Sequence, residues 1–190
     1  MVRVVVGAAL GLAALAMAGQ SQAAVSVLGD GLAHLCSMAA LSGVSDAKSI
    51  ETCTLALENE PLSGRDKAGT LVNRGVMYLA RLQYSTAKLD FDDAVTADPT
   101  LGEAYVNRGA ALVAMRRYSD GVVDIEKGMG LAPEEPEKAY YNRALAREGI
   151  GDLKGAYLDY LKASQLKPDW ADPQRELMRF AVHPAGSVGS

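Results

Sequence analysis

A triplet, Asn-Arg followed by Gly or Ala, occurs at Asn73-Arg74-Gly75, Asn107-Arg108-Gly109 and Asn142-Arg143-Ala144, at spacings of 34 and 35 residues. Two other landmarks keep the same step. Phe91, Ile125 and Tyr160 each follow the small residue of the triplet by 16 positions, and Pro99, Pro133 and Pro168 follow it by 24. A shared period of this size marks a chain of helical hairpins. One hairpin cannot bury its own apolar face, so the units must stack, and any binding surface belongs to the stack.

With the small residue as the eighth position, the units span 68–101, 102–136 and 137–170. Each reads as two helices. Leu71, Gly75 and Tyr78 lie on one helical stripe, and after a break at 82–84 a second stripe runs through Ala87, Phe91 and Ala94. The second unit sets Tyr105, Gly109 and Leu112 against Gly121, Ile125 and Gly128, and the third sets Tyr140 and Ala144 against Ala156, Tyr160 and Ala163. Ser85 and Asp152 suit the starts of second helices, because a short polar side chain accepts the free amide hydrogens there. The closing prolines cannot continue a helix. Gly121, Gly128 and Gly130 lower the helix propensity of one segment, by about 1 kcal/mol each against alanine, which makes it the expected flexible helix.

This pattern resembles the tetratricopeptide repeat (TPR), with its aromatic at position 4, Gly or Ala at 8, aromatic or Leu at 11, Ala at 20 and 27, aromatic at 24 and Pro at 32. Arg147 departs from the resemblance, standing where an aromatic is expected. The resemblance implies an all-α solenoid of about three and a half hairpins closed by a C-terminal cap helix. Residues 24–67 then form a degenerate N-terminal hairpin, with Asp30 to Glu60 threaded as a unit that places Cys36 and Cys53 opposite each other. Residues 171–190 hold the cap helix, from Asp172 to Val182, and a loose tail from His183.

Met1-Val2-Arg3, an uncharged apolar run from Val4 to Ala18 and the small residues of Ser21-Gln22-Ala23 have the form of a secretory signal peptide over 1–23, cut after Ala23. The apolar run is too short for a membrane anchor, and no second such stretch follows. The expectation is an exported, periplasmic protein with no membrane span after cleavage. In an oxidising compartment Cys36 and Cys53, 17 residues apart, pair as a disulfide. Zinc sites use closer cysteine pairs with two further ligands, and His34 brings no fourth, so no metal site is expected.

Lys and Arg are dispersed among Asp and Glu, and the formal net charge is −4, so nucleic acid is not an expected partner. His34 and His183 lie far apart, and no nucleophile has a base spaced to serve it, so no catalytic residues and no cofactor are expected. Arg74, Arg108 and Arg143 fall at position 7 of each unit, and Asp90, Asp124 and Asp159 at position 23. One base and one acid fixed in every unit form structural ion pairs between the two helices of a hairpin.

In TPR arrays the first helices line a concave groove, and the resemblance places Asn73, Asn107 and Asn142 along it, flanked by Val72, Val76, Val106, Ala110, Tyr141 and Leu145. An amide donates and accepts, as an extended peptide backbone requires of its host. Two readings of the asparagines stand: a ladder for a partner peptide, or a structural residue bonding to a neighbouring helix. The known TPR clamp for chaperone C-terminal carboxylates is matched only by Lys138 and Asn107, while Val72, Val76 and Asn142 depart from it. The function expected is non-catalytic peptide binding that scaffolds an envelope complex. The alternative is a self-associating homo-oligomer whose groove holds its own tail or another copy.

Overall fold

The computed structural model describes residues 3–6 and 22–183. In chain order these form β1 (Arg3–Val6), α1 (Leu32–Leu41), α2 (Ala47–Asn59), α3 (Gly64–Ala80), α4 (Tyr84–Ala97), α5 (Gly102–Ala114), α6 (Tyr118–Gly130), α7 (Pro136–Gly149), α8 (Leu153–Leu166), α9 (Ala171–Leu177) and β2 (Phe180–His183). The helices pair as the hairpins α1/α2, α3/α4, α5/α6 and α7/α8, with α9 packed on α8. The architecture is the all-α hairpin solenoid expected, with the first hairpin complete.

Local chemistry sets the helix ends. Ser63 Oγ accepts the Asp66 amide at 3.2 Å, which starts α3 before the expected residue 68. Asp152 Oδ1 accepts the Gly155 amide at 2.9 Å at the start of α8. Ser85, expected as a cap, lies inside α4, and Gln83 holds the cap position without a side-chain bond. The turns within the three repeat hairpins use a left-handed residue at one equivalent place: Leu82 (φ 60°), Arg116 (φ 61°) and Gly151 (φ 83°). Only the third carries the residue that takes this conformation without strain.

Phe91, Ile125 and Tyr160 are fully buried, each against the small residue of its partner helix. A methyl group on Gly75 would stand 2.5 Å from Phe91 Cε1, and one on Gly109 would stand 2.6 Å from Ile125 Cγ1. The period seen in the sequence is thus a knob and its hole. Gly121 and Gly128 have the same role. A methyl on Gly128 would lie 2.7 Å from the Gly102 carbonyl oxygen, and one on Gly121 would lie 3.1 Å from that of Gly109. Both glycines of α6 serve close backbone contact with α5, not the loosening that propensity suggests. Gly130 has open space around its Cα. Gly130→Ala is therefore expected to stabilise by up to about 1 kcal/mol and Gly128→Ala to destabilise by about 1–3 kcal/mol. Thermal unfolding of the two variants checks this, and equal shifts would overturn it.

The C-terminal end differs from expectation. The cap helix stops at Leu177, and Phe180–His183 forms β2, paired antiparallel with β1 from Arg3↔His183 to Val6↔Phe180. Phe-Ala-Val-His favours the extended form, and the buried Phe180 ring meets Tyr157 at 5.7 Å and Tyr160 at 6.1 Å. The rest of the expected leader through Ser21 and the tail after His183 lie outside the described residues. Among the described residues no helix is long and apolar enough to cross a membrane. Cys36 and Cys53 are joined as a disulfide between α1 and α2, with their Cα atoms 4.9 Å apart.

Candidate peptide groove

The first helices of successive hairpins, α1, α3, α5 and α7, present position 6 or its neighbourhood to one concave surface. On it lies an extended segment of the chain itself, residues 22–27. Asn107 Nδ2 donates to the Ala23 carbonyl at 2.8 Å, and the Ala23 amide donates to Asn107 Oδ1 at 3.2 Å. Asn73 repeats the arrangement on Val25, at 2.8 Å from Nδ2 to the carbonyl and 2.7 Å from the amide to Oδ1. On α1, Ser37 Oγ accepts the Val27 amide at 3.1 Å and His34 Nδ1 donates to the Val27 carbonyl at 2.8 Å. Lys138 Nζ donates to the Gln22 carbonyl at 2.8 Å from α7.

The residues held by α5, α3 and α1, Ala23, Val25 and Val27, are two apart, the period at which an extended strand turns the same face to its host. The segment runs against the order of the hairpins, entering at α7 and leaving at α1. Asn73 and Asn107 are 0% exposed, so each amide exchanges water for two backbone partners and leaves neither Ala23 nor Val25 with an orphaned group. Asn142 is buried at the corresponding place on α7.

Val25 packs against the cluster that holds Val72 and Val76, and Val27 packs with Ala33 and Ala56. Gly69 makes room for both: a methyl on it would stand 3.0 Å from Val25 Cγ1 and 3.1 Å from Val27 Cγ2. Val106 and Ala110 are buried on α5. Tyr141 and Leu145, expected on the groove wall, belong to the C-terminal core, where Tyr141 meets Tyr160 at 5.5 Å and Trp170 at 4.9 Å. Burial pushes the Tyr141 hydroxyl above its ordinary pKa. Beside the segment an open cavity of about 310 Å³ remains, bordered by Gln22, Ala24, Val44, Met77, Lys138 and Trp170.

The arginines and aspartates meet as two-bond pairs. Arg74 Nε and Nη2 reach Asp90 at 2.9 and 2.7 Å, Arg108 reaches Asp124 at 2.6 and 2.8 Å, and Arg143 reaches Asp159 at 2.9 and 2.8 Å. Burial pushes the Asp90 carboxyl above its ordinary value while Arg74 draws it back, and the hydrogen bonds to Asp90 raise Arg74. A guanidinium keeps its charge, and two parallel bonds need an ionised acceptor, so the pair is ionic and carries a desolvation cost. Arg147 extends the third pair, with Nη1 at 2.9 Å from Asp159 and Nη2 at 3.3 Å from Glu126. Its departure from an aromatic thus has a partner that the spacing of single residues did not disclose. Among the described residues no group of three or more His, Cys, Asp or Glu is placed to hold a metal.

Sequence reasoning placed the asparagines but missed His34, Ser37 and the segment they hold. The available signal was the alternation Ala23, Val25, Val27, an extended pattern just after the expected cleavage point.

No family model matches the sequence. The chain is 36% identical over 86 residues to the Hsp70-Hsp90 organizing protein of Triticum aestivum, a match covering 45% of this chain and 15% of that protein. The chain therefore spans under a fifth of the length of that relative. Among solved structures, the first TPR of Spaghetti (RPAP3) bound to the HSP90 peptide SRMEEVD superposes with a TM-score of 0.56 at 25% identity, over 60% of this chain and 90% of that one. MamA, residues 41 to the end, from Desulfovibrio magneticus RS-1 gives a TM-score of 0.60 at 22% identity, over 80% and 84%. With four hairpins of this packing and these structural neighbours, the chain is a tetratricopeptide-repeat solenoid in fold.

Proposed function

We propose that this protein is a non-catalytic interaction module whose concave groove binds an extended segment of a partner protein. The observation that supports it is the two-way bonding of Asn73 and Asn107 to an extended backbone. The grip engages main-chain groups, so the rungs give affinity and any choice among side chains falls to the groove walls. The similar TPR of Spaghetti is described as bound to an HSP90 peptide, which supports peptide recognition on this fold. Val72 and Val76 stand where the carboxylate clamp needs Lys and Asn, so the chaperone tail is not the partner proposed. With the leader-like start and the disulfide, the reading extends to an exported, periplasmic protein that scaffolds an envelope complex.

A second reading has its own observation. The groove already holds a segment of this chain, so a copy of that segment from another molecule fits the same rungs and would produce a homo-oligomer. Affinity capture from envelope extract separates the two, with the Asn73→Ala/Asn107→Ala/Asn142→Ala variant as control. A partner retained by the native protein and lost by the variant supports the peptide module. Retention of the chain's own copies alone, with a mass that rises with concentration in sedimentation, supports exchange. Identical retention by both forms overturns the groove as the binding site.

A further inference from the structure

The residues that hold the chain's own segment are those expected to hold a partner. We propose that in the uncut chain residues Gln22–Val27 are an internal competitor lying in the partner's place, and that the partner's segment takes over their polarity and pattern of side-chain sizes. The inference rests on the peptide-groove reading above and deepens it.

The polarity follows from the rungs. Lys138 bonds the Gln22 carbonyl, Asn107 bonds Ala23, and Asn73 bonds Val25. A strand running the other way could still exchange two bonds with each asparagine. It would not present its carbonyls to Lys138 and His34 at the two ends, because reversal exchanges the order in which amide and carbonyl groups meet the host along the strand.

The side-chain pattern follows from the walls. Ala23 and Val27 are 2% and 3% exposed, and Gly69 marks the closest approach of α3 to Val25 and Val27. The odd places therefore take small or β-branched residues. Ala24 borders the open cavity of about 310 Å³ and Ser26 is exposed, so these two places have room for larger side chains, whereas Gln22 is buried. The partner is an extended segment with alanine- or valine-sized residues at the places of Ala23, Val25 and Val27 and larger side chains admitted at those of Ala24 and Ser26, entering with its N-terminal end toward α7.

A competitor tied to the same molecule is present at high effective concentration, so it lowers the apparent affinity for a partner in proportion to the time it spends docked. The connection to α1 is short, with Val27 bonded to α1 itself and Gly29 in a left-handed conformation at φ 125° before the helix begins. Release of Ala23 and Val25 therefore needs no rearrangement of the helices. Two bonds at each rung are a modest barrier, since on release each is exchanged for a bond to water.

The test uses the full chain and leaves the groove untouched. Ala23→Pro with Val25→Pro removes both amide donors from the segment. The probe is a labelled synthetic peptide of residues 20–28, Gln-Ser-Gln-Ala-Ala-Val-Ser-Val-Leu, with a reversed-sequence peptide and one carrying Trp at the places of Ala23 and Val25 as controls. Hydrogen exchange of the Ala23 and Val25 amides in the unmodified chain is measured alongside. The expected result is protected amides in the unmodified chain and binding of the probe by the proline variant about tenfold or more tighter than by the unmodified chain. The two control peptides should bind weakly, and Asn107→Ala added to the proline variant should lose the gain. Amides that exchange at the rate of an unfolded chain, or equal probe affinity for both forms, would overturn the internal competitor and leave the peptide groove standing. Protected amides with no probe binding to the proline variant would overturn the peptide-groove reading itself. Equal binding of the reversed peptide would overturn the assigned polarity.

Discussion

Asp159→Ala is expected to lower the free energy of unfolding by about 3–5 kcal/mol, the largest loss for a single charged residue in this chain. Its carboxylate is 5% exposed and accepts from two arginines, Arg143 by two bonds and Arg147 by a third. Removing it leaves two guanidiniums, 16% and 22% exposed, facing each other with the half-exposed Glu126 shared between them and the half-exposed Asp152 at 3.8 Å from Arg147 Nε. The like charges repel where water screens them poorly, and the orphaned donors lose their acceptor. Asp92→Ala is the matched control. Its side chain is 34% exposed and bonds Lys88 and Arg108, so its loss should cost less than about 1 kcal/mol. Denaturant unfolding of both variants gives the comparison. Losses of equal size would show that the third hairpin does not depend on its buried acid.

Reduction of the Cys36–Cys53 bond is expected to cost about 3 kcal/mol, by the loop-closure entropy that a bridge of this span removes from the unfolded chain. The effect should be local before it is global. The bond joins α1 to α2 and packs with Ala40 against Met77 of α3, so it fastens the terminal hairpin on whose outer side no further helix packs among the described residues. That hairpin also carries Ser37 and His34, which bond Val27. Reductant should therefore speed exchange of the Val27 amide and of α1 and α2 before it affects α5 to α8. Thermal unfolding with and without reductant, followed by hydrogen exchange, reads both effects. An unchanged midpoint, or uniform loss of protection, would count against the staple.

The repeat period was legible because each landmark meets a partner only 16 residues away in the same unit. Gly75 fits Phe91, Arg74 bonds Asp90, and both relations recur. The N-terminal hairpin was legible for the same reason, through two cysteines facing across one turn. Ala23 and Asn107 are 84 residues apart, and nothing near either names the other. The asparagines announced that they could hold a backbone, but not whose. Gly121 and Gly128 misled because propensity prices a residue within its own helix, while these two answer to the backbone of α5. The cap helix ended early for a related reason, because Phe180 gains more from the Tyr157 and Tyr160 rings than from one further turn of helix. The buried asparagines also change what their removal reports. From the sequence, a fall in melting temperature on Asn→Ala would mark a structural residue. In the fold, the same loss follows from releasing the chain's own segment, so only a partner or the probe peptide tells the roles apart.

The Ala23–Ala24 peptide bond lies between the two asparagine rungs, and Ala23 has both of its main-chain groups engaged by Asn107. A protease must draw its substrate strand into its own cleft, and here another cleft has already taken it. A cut at this bond would therefore have to come before the groove closes on it. A chain severed there keeps Val25 on Asn73 and Val27 on α1, while the place opposite Asn107 and Lys138 falls vacant. A chain matured at that point would dock a shortened occupant, leaving a half-filled groove whose open end begins at a newly made α-amino group.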